Sequence, residues 1–264
     1  MKMTRPDHLP PPTPAATVVI FRKGPPGHPP ELLMMERAGH MRFAAGATVF
    51  PGGAVDAADR ELASLLEPPA ANAALLSDED HAARVAAVRE TLEEAGLLIG
   101  VKEPVTLEQV MEARRLLVAT GALGPVLDEF GWSLDLSRLV PFARWCPHFS
   151  RAFDTFFYLA DLGTGAVSLE VDGTENDRVF WMSARDALTA TEAGTLSVLL
   201  PTLMTLHRLA QFETHAQAKA DAHRWPVQTI SAWVEDRDGQ AIVTIPAGLG
   251  FPVTTLLADR VRRD

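Results

Sequence analysis

Within AAVRETLEEAGLLIG, residues 86 to 100, three glutamates and an arginine interrupt an otherwise apolar run. On a helix, Glu90, Glu93 and Glu94 stand at i, i+3 and i+4, so their side chains share one face about a turn in height. Three carboxylates that close repel one another, and nothing in the helix itself relieves the repulsion. A divalent cation would: hard ions such as Mg²⁺ or Mn²⁺ prefer carboxylate oxygens, keep several waters and leave positions for phosphate oxygens. Arg89, next in the chain, is placed to hold one carboxylate. The competing reading is a solvated acidic face, because glutamate is a good helix former and adjacent pairs are common on helix surfaces. These residues alone do not separate the two.

The elements around the cluster are legible from periodicity and punctuation. Residues 77 to 96 read as the clearest helix. Ser77 or Asp78 caps its start, Gly96 stops it, and Val85, Val88, Leu92 and Ala95 form the apolar stripe. Upstream, residues 16 to 23 and 31 to 38 read as paired strands, and 47 to 55 as a short strand containing Pro51, Gly52 and Gly53. Residues 56 to 77 have weak periodicity and read as a partly helical insertion. Downstream come a helix at 107 to 121, strands on either side of PHFSRAF, a strand at 178 to 183 and a short helix after it. Residues 195 to 222 read as one long helix, and SAWVEDRDGQAIVTI as a hairpin. Strands and helices interleave without a G-x-G-x-x-G unit, which predicts an α+β fold, a mixed sheet with helices on both faces. The organisation predicted is an N-terminal arm at 1–14, a main domain at 15–190 and a C-terminal helical and β extension at 191–264 packed on it.

Composition narrows the partners. The 264 residues carry a net charge of −10, which argues against general affinity for nucleic acid. An acidic chain that handles a phosphate compound needs local arginines, a metal, or both. The single cysteine, Cys146, excludes an intrachain disulfide and suggests a reducing compartment, with the cytoplasm as the default. No run of about 18 apolar residues predicts a membrane span, and the proline-rich start is no signal peptide.

Together, the turn FPGG and the run R-E-T-L-E-E-A-G-L, Arg89 to Leu97, resemble the signature of the Nudix hydrolases, G-x5-E-x7-R-E-U-x-E-E-x-G-U, with Thr91 in place of the first bulky residue. Gly53 would be the opening glycine. Gly53 and Arg89 are 36 positions apart, more than the signature spans. Its lone glutamate has no clean equivalent: counting forward from Gly53 reaches Asp59, and counting back from Arg89 reaches His81, beside Glu79 and Asp80. Residues 56 to 77 are read as an insertion inside the box. A second stretch resembles the motif of the coenzyme A diphosphatase branch, L-L-T-x-R-[SA]-x3-R-x3-G-x3-F-P-G-G. Arg37, Ala38, Arg42, Gly46, Phe50, Pro51, Gly52 and Gly53 fall in register, whereas Met34 and Met35 depart from it. Two arginines there supply permanently charged forks suited to phosphates, and the glycines let backbone approach a substrate.

The resemblance implies an α/β/α sandwich and hydrolysis of the diphosphate bond of CoA or acyl-CoA, giving 3',5'-ADP and (acyl-)4'-phosphopantetheine. It implies metal held by Glu90, Glu93 and Glu94, catalysis by these with Arg89, substrate contacts from Arg37, Arg42, Gly46 and the Phe50-to-Gly53 turn, and a homodimer. The base is a glutamate of the helix or Glu175, in the acidic loop before the strand at 178. Other substrates, ADP-ribose or a dinucleotide, and a non-catalytic nucleotide sensor are the alternatives. Elsewhere, Cys146 and His148 lack the partner pair a zinc site needs, and His207, His215 and His223 do not share a helix face.

Overall fold

In the central strand, Thr13–Arg22 (β1), the chain alternates Ala16, Val18, Ile20 with Val19 and Phe21, and all five are buried. A strand apolar on both faces belongs inside a sheet covered on both sides. The computed structural model describes residues 8–40, 44–67, 77–149, 152–162 and 176–261. After β1 come β2 (Glu31–Arg37), β3 (Thr48–Val49), β4 (Gly52–Ala54), α1 (Ala57–Leu65), α2 (Asp78–Ala95), α3 (Leu107–Thr120), α4 (Leu123–Phe130), β5 (Val140–Trp145), β6 (Phe153–Asp161) and β7 (Asn176–Ser183). Then follow α5 (Ala184–Glu192), α6 (Leu200–Leu209), α7 (His215–Arg224), β8 (Thr229–Ile230), β9 (Trp233–Arg237), β10 (Gln240–Thr244) and β11 (Thr255–Leu257).

Along one edge β1 runs parallel to β6, from Thr13 opposite Phe153 to Phe21 opposite Asp161. On the other edge it pairs with β2 only near the hairpin, Phe21 with Leu32 and Arg22 with Glu31. Beyond that the two strands diverge. β4 takes the edge of β1, with Ala16 opposite Gly53 and Thr17 opposite Gly52, while β3 and β7 take β2. The fork between β1 and β2 is where the FPGG turn enters the sheet. β5 pairs with β6, and β8 extends the sheet beyond β5, while β9, β10 and β11 form a separate three-stranded sheet.

Side-chain alternation builds two cores. Ala16, Val18 and Ile20 of β1, Leu33 and Met35 of β2, and Tyr158 of β6 pack against α2 and α3. Val19, Phe21, Leu32, Met34, Phe142 and Leu159 face α5, α6 and α7 on the other side. The result is the predicted mixed sheet between helical layers.

Several element boundaries differ from those read in the sequence. The helix at 195 to 222 is two, broken at 210–214. Thr214 caps α7 by accepting the Gln217 N–H, and Arg208 of α6 reaches back to Asp221 of α7 at 2.9 Å. In a straight helix those two residues would lie roughly 20 Å apart along the axis. The strand at 47 to 55 is interrupted at Phe50–Pro51, where proline lacks the ladder N–H. The segment at 56 to 77 contains a regular helix, α1, docked on α2, and β1 takes in the last two residues of the arm. The short α4, carrying Leu123, Val126 and Leu127 on its buried side, went unread.

Candidate active site

Helix α2 crosses the sheet and delivers its last turns to the fork. Ser77 accepts the Asp80 N–H at its start, and Gly96, at φ 64°, closes its end. Near the start, Arg84 is fully buried. It donates to Asp80 at 2.8 Å and to the carbonyls of Leu136 and Leu139, while Tyr158 donates to Asp80 at 2.9 Å. This cluster fixes where the helix begins on the sheet. At the other end α2 has no basic residue in its last turn. Arg114 of α3 donates to the carbonyls of Glu93 (3.0 Å) and Glu94 (3.4 Å), which otherwise end the helix with no partner within it.

Glu90 and Glu94 project into the fork against the two glycines. A side chain on Gly53 would place its Cβ 2.2 Å from Glu90 Oε1. Gly52 has φ 153° and its N–H donates to Glu94 Oε2 at 2.9 Å; a Cβ there would sit 2.1 Å from the Ala16 carbonyl. The other oxygen of Glu94 accepts from Asn176 Nδ2 at 3.2 Å. Both carboxyls are taken out of water, and that is the main reason each resists ionisation. Burial pushes Glu90 up to about 7, with Arg89 pulling against it and Glu93 adding to it. Burial and the Glu90 charge push Glu94 up to about 8, against the Gly52 N–H, Asn176 and the charge of Arg37. Glu93 is different: its side chain is 43% exposed and leans toward Arg89 at 3.5 Å.

Arg89 is occupied mainly by a residue the sequence left aside. Its Nε and Nη2 bracket Asp59 of α1, at 3.0 and 2.9 Å, and Nη2 also donates to the Ala54 carbonyl. The third nitrogen, Nη1, meets Glu90 Oε1 at 3.0 Å. Burial works against the guanidinium's charge, but the Asp59 hydrogen bonds and the charges of Glu90 and Asp59 outweigh it and raise its pKa. Asp59 is itself buried and takes the Asp56 N–H at 2.9 Å. Asp59 stands at the signature's spacing from Gly53, so the first half of the signature continues in register to Asp59. His81, the position reached by counting back, lies buried in the first turns of α2, and burial lowers its pKa.

The remaining predicted residues fall in three groups. Arg37 ends β2; its N–H donates to Ala47, its carbonyl accepts from Gly46, and its charge acts on Glu94. Gly46, at φ 66°, makes that turn. Phe50 is 2% exposed and belongs to the core cluster that includes Met34, Phe142 and Met204. Pro51 is buried and its carbonyl accepts the Val18 N–H. At Gly52 an added Cβ would meet the Ala16 backbone, and at Gly53 the Glu90 carboxyl. Arg42 and Glu175 lie outside the described residues. Two residues went unread because no local pattern announces them: Asn176 is 82 positions from Glu94, and Arg114 is 21 from Glu93. At Cys146 and His148, Ser231 Oγ donates to the Cys146 carbonyl at 2.6 Å and lies 3.0 Å from His148 Nε2.

The carboxylate pair fits a hard divalent cation. Glu94, buried, and Glu90, partly buried, resist ionisation through loss of water and mutual repulsion, and positive charge between them would relieve both. Among the described residues no three acidic, histidine or cysteine side chains close around a point. For all three helix glutamates to hold such an ion, Glu93 would have to turn in from Arg89 to join Glu90 and Glu94; Mg²⁺ commonly fills its remaining positions with water and phosphate oxygens.

A Nudix hydrolase of solved structure from Alicyclobacillus acidocaldarius is 32% identical, with a TM-score of 0.67 over 79% of this chain and 95% of that one. The chain belongs to the Nudix hydrolase family. Among curated proteins it is 27% identical over 234 residues to the chicken (Gallus gallus) acyl-coenzyme A diphosphatase NUDT19, covering 70% of this chain. The chain spans 62% of the length of that relative. No family model matches the sequence.

Proposed function

We propose that this protein hydrolyses the diphosphate bond of coenzyme A or acyl-CoA, with Mg²⁺ or Mn²⁺, giving 3',5'-ADP and (acyl-)4'-phosphopantetheine. The observation that carries the reading is the Glu90–Glu94 pair, largely withdrawn from water and set against Gly52 and Gly53, with the charge of Arg37, from the CoA-type motif, acting on Glu94. Similarity to an acyl-coenzyme A diphosphatase supports the substrate class.

Glu90, Glu94 and the more exposed Glu93 would hold the cation, which supplies charge for the diphosphate oxygens and acidifies a bound water. The protein's own part is placement. Gly52 N–H and Asn176 hold both oxygens of Glu94, Asp59 holds Arg89, and Arg89 steadies Glu90. Arg37, with Arg42, would bind the phosphates. Water oxygen adds to one phosphorus, the bridging P–O bond breaks, and a carboxylate of the helix or Glu175 takes the water's proton. A cytoplasmic homodimer acting on a small nucleotide, without nucleic acid or membrane partners, completes the proposal; no helix among the described residues is long and apolar enough to cross a membrane.

A substrate panel tests it. The full chain with Mg²⁺ is given CoA, an acyl-CoA, ADP-ribose and a dinucleotide, and kcat/KM is ranked by product chromatography. CoA-type compounds ranking first supports the proposal. Preference for ADP-ribose or the dinucleotide moves the substrate elsewhere in the family, and binding without turnover would point to a nucleotide sensor.

A further inference from the structure

Glu94 is gripped from two elements that α2 does not contain. One grip, the Gly52 N–H, is backbone and survives most substitutions. The other is the side chain of Asn176, the first residue of β7, itself 1% exposed. Register explains its reach. β7 pairs along β2 from Ser183 opposite Glu31 back to Asn176 opposite Arg37, with an irregularity between Glu36 and Arg37 that brings the strand's start to the fork. An ionised carboxylate only accepts hydrogen bonds, so the amide must present its NH₂ to Glu94 Oε1. An aspartate in the same shape would turn an acceptor and a like charge toward the pair; an alkyl side chain would offer nothing.

We infer that Asn176 is a positioning residue for the metal site, setting the orientation of Glu94 through the amide-to-carboxylate hydrogen bond. The inference rests on the proposed role of Glu94 as a metal-binding carboxylate. Groups that hold a ligating carboxylate from outside affect metal affinity by about 10- to 100-fold when removed. Asn176 touches neither substrate nor the reacting atoms in this scheme, so its loss should weaken metal binding without changing which substrate is used.

Isothermal titration of the metal-free full chain with Mn²⁺ tests this, comparing wild type, Glu94→Gln, Asn176→Leu and Asn176→Ser. Asn176→Leu keeps the branched shape and loses the donor; Asn176→Ser keeps a donor too short to reach, and serves if the leucine variant fails to fold. The inference predicts a Kd for Mn²⁺ raised about tenfold or more in both Asn176 variants. It also predicts that the Mn²⁺ concentration for half-maximal activity rises alongside, while KM at saturating Mn²⁺ stays near wild type. A Kd within twofold of wild type in a folded Asn176 variant overturns it. So does an unchanged Kd accompanied only by a lower melting temperature, which is the mark of a structural role. If Glu94→Gln binds Mn²⁺ as wild type does, the metal role of Glu94 fails, and the inference falls with it for a distinguishable reason.

Discussion

Gly52 and Gly53 are neighbours with different reasons for lacking a side chain, and substitution separates them. A Cβ on Gly53 meets the tip of the Glu90 side chain, which can swing away. Gly53→Ala should therefore keep the fold but lower Mn²⁺ affinity and activity at least tenfold, read by titration and turnover. A Cβ on Gly52 meets the backbone of Ala16, which cannot yield without breaking the β1–β4 pairing. Gly52→Ala should lower stability by roughly 1–3 kcal/mol in urea unfolding. The carboxyl pair makes a second prediction. Glu90 and Glu94, ordinarily near 4.5, stand at about 7 and about 8 in the fold without a cation. Between those limits the unfolded chain has released protons the folded chain retains, so stability falls as pH rises. Below about pH 6.5 the lowered pKa values of His81, His207 and His215 act in the opposite sense, so in EDTA the melting temperature should drop between about pH 6.5 and about pH 8, and Mn²⁺ should flatten that slope; a flat profile there in EDTA would contradict the burial described. The motif from Arg89 to Leu97 made the acidic face visible in the sequence, because helical spacing alone aligns Glu90 and Glu94. What it concealed was the inequality of the three glutamates and the partner of Arg89, since both depend on how far the fork between β1 and β2 opens.

Helix α2 works as a rod pinned at each end, by the Arg84–Asp80–Tyr158 cluster at the start and by Arg114 at the finish. Removing Arg84 would leave the Asp80 carboxylate buried beside two carbonyls that lose their donor. Arg84→Met should cost about 3–5 kcal/mol in chemical unfolding, and a change under about 1 kcal/mol would show that the cluster is not an anchor. The boundaries of this helix were legible because Ser77 and Gly96 are local signals. The break between α6 and α7 was not, because Ala210 and Phe212 continue an apolar pattern across it. The Arg208–Asp221 pair that requires the bend is visible only in three dimensions. Likewise β1 and β6 read separately as strands, but nothing in either announces that they lie parallel, some 140 positions apart.

At the scale of the molecule, the segment after residue 190 is part of the main core. Leu203, Met204, Leu206, Ala218, Ile245 and Phe251 pack on the face of the sheet opposite α2. Arg208 is buried between the rings of Phe142 and Phe251, at 3.9 and 5.3 Å, and donates to the Phe142 carbonyl. The chain should accordingly unfold in one transition, with tryptophan fluorescence and far-UV circular dichroism coincident; two separated transitions would make the extension a unit of its own. The sandwich thus packs α5, α6 and α7 on one face and α2 on the other, with the Glu90–Glu94 pair near the end of α2. The most direct test of that account is to incubate CoA with the protein and Mg²⁺ and to follow 3',5'-ADP, beside an EDTA control and Glu94→Gln. The account predicts 3',5'-ADP from the wild type with Mg²⁺, none in EDTA, and a loss of at least 100-fold in Glu94→Gln, on the order of a removed charge-stabilising group. Equal production of 3',5'-ADP by Glu94→Gln, or without any divalent cation, would contradict it.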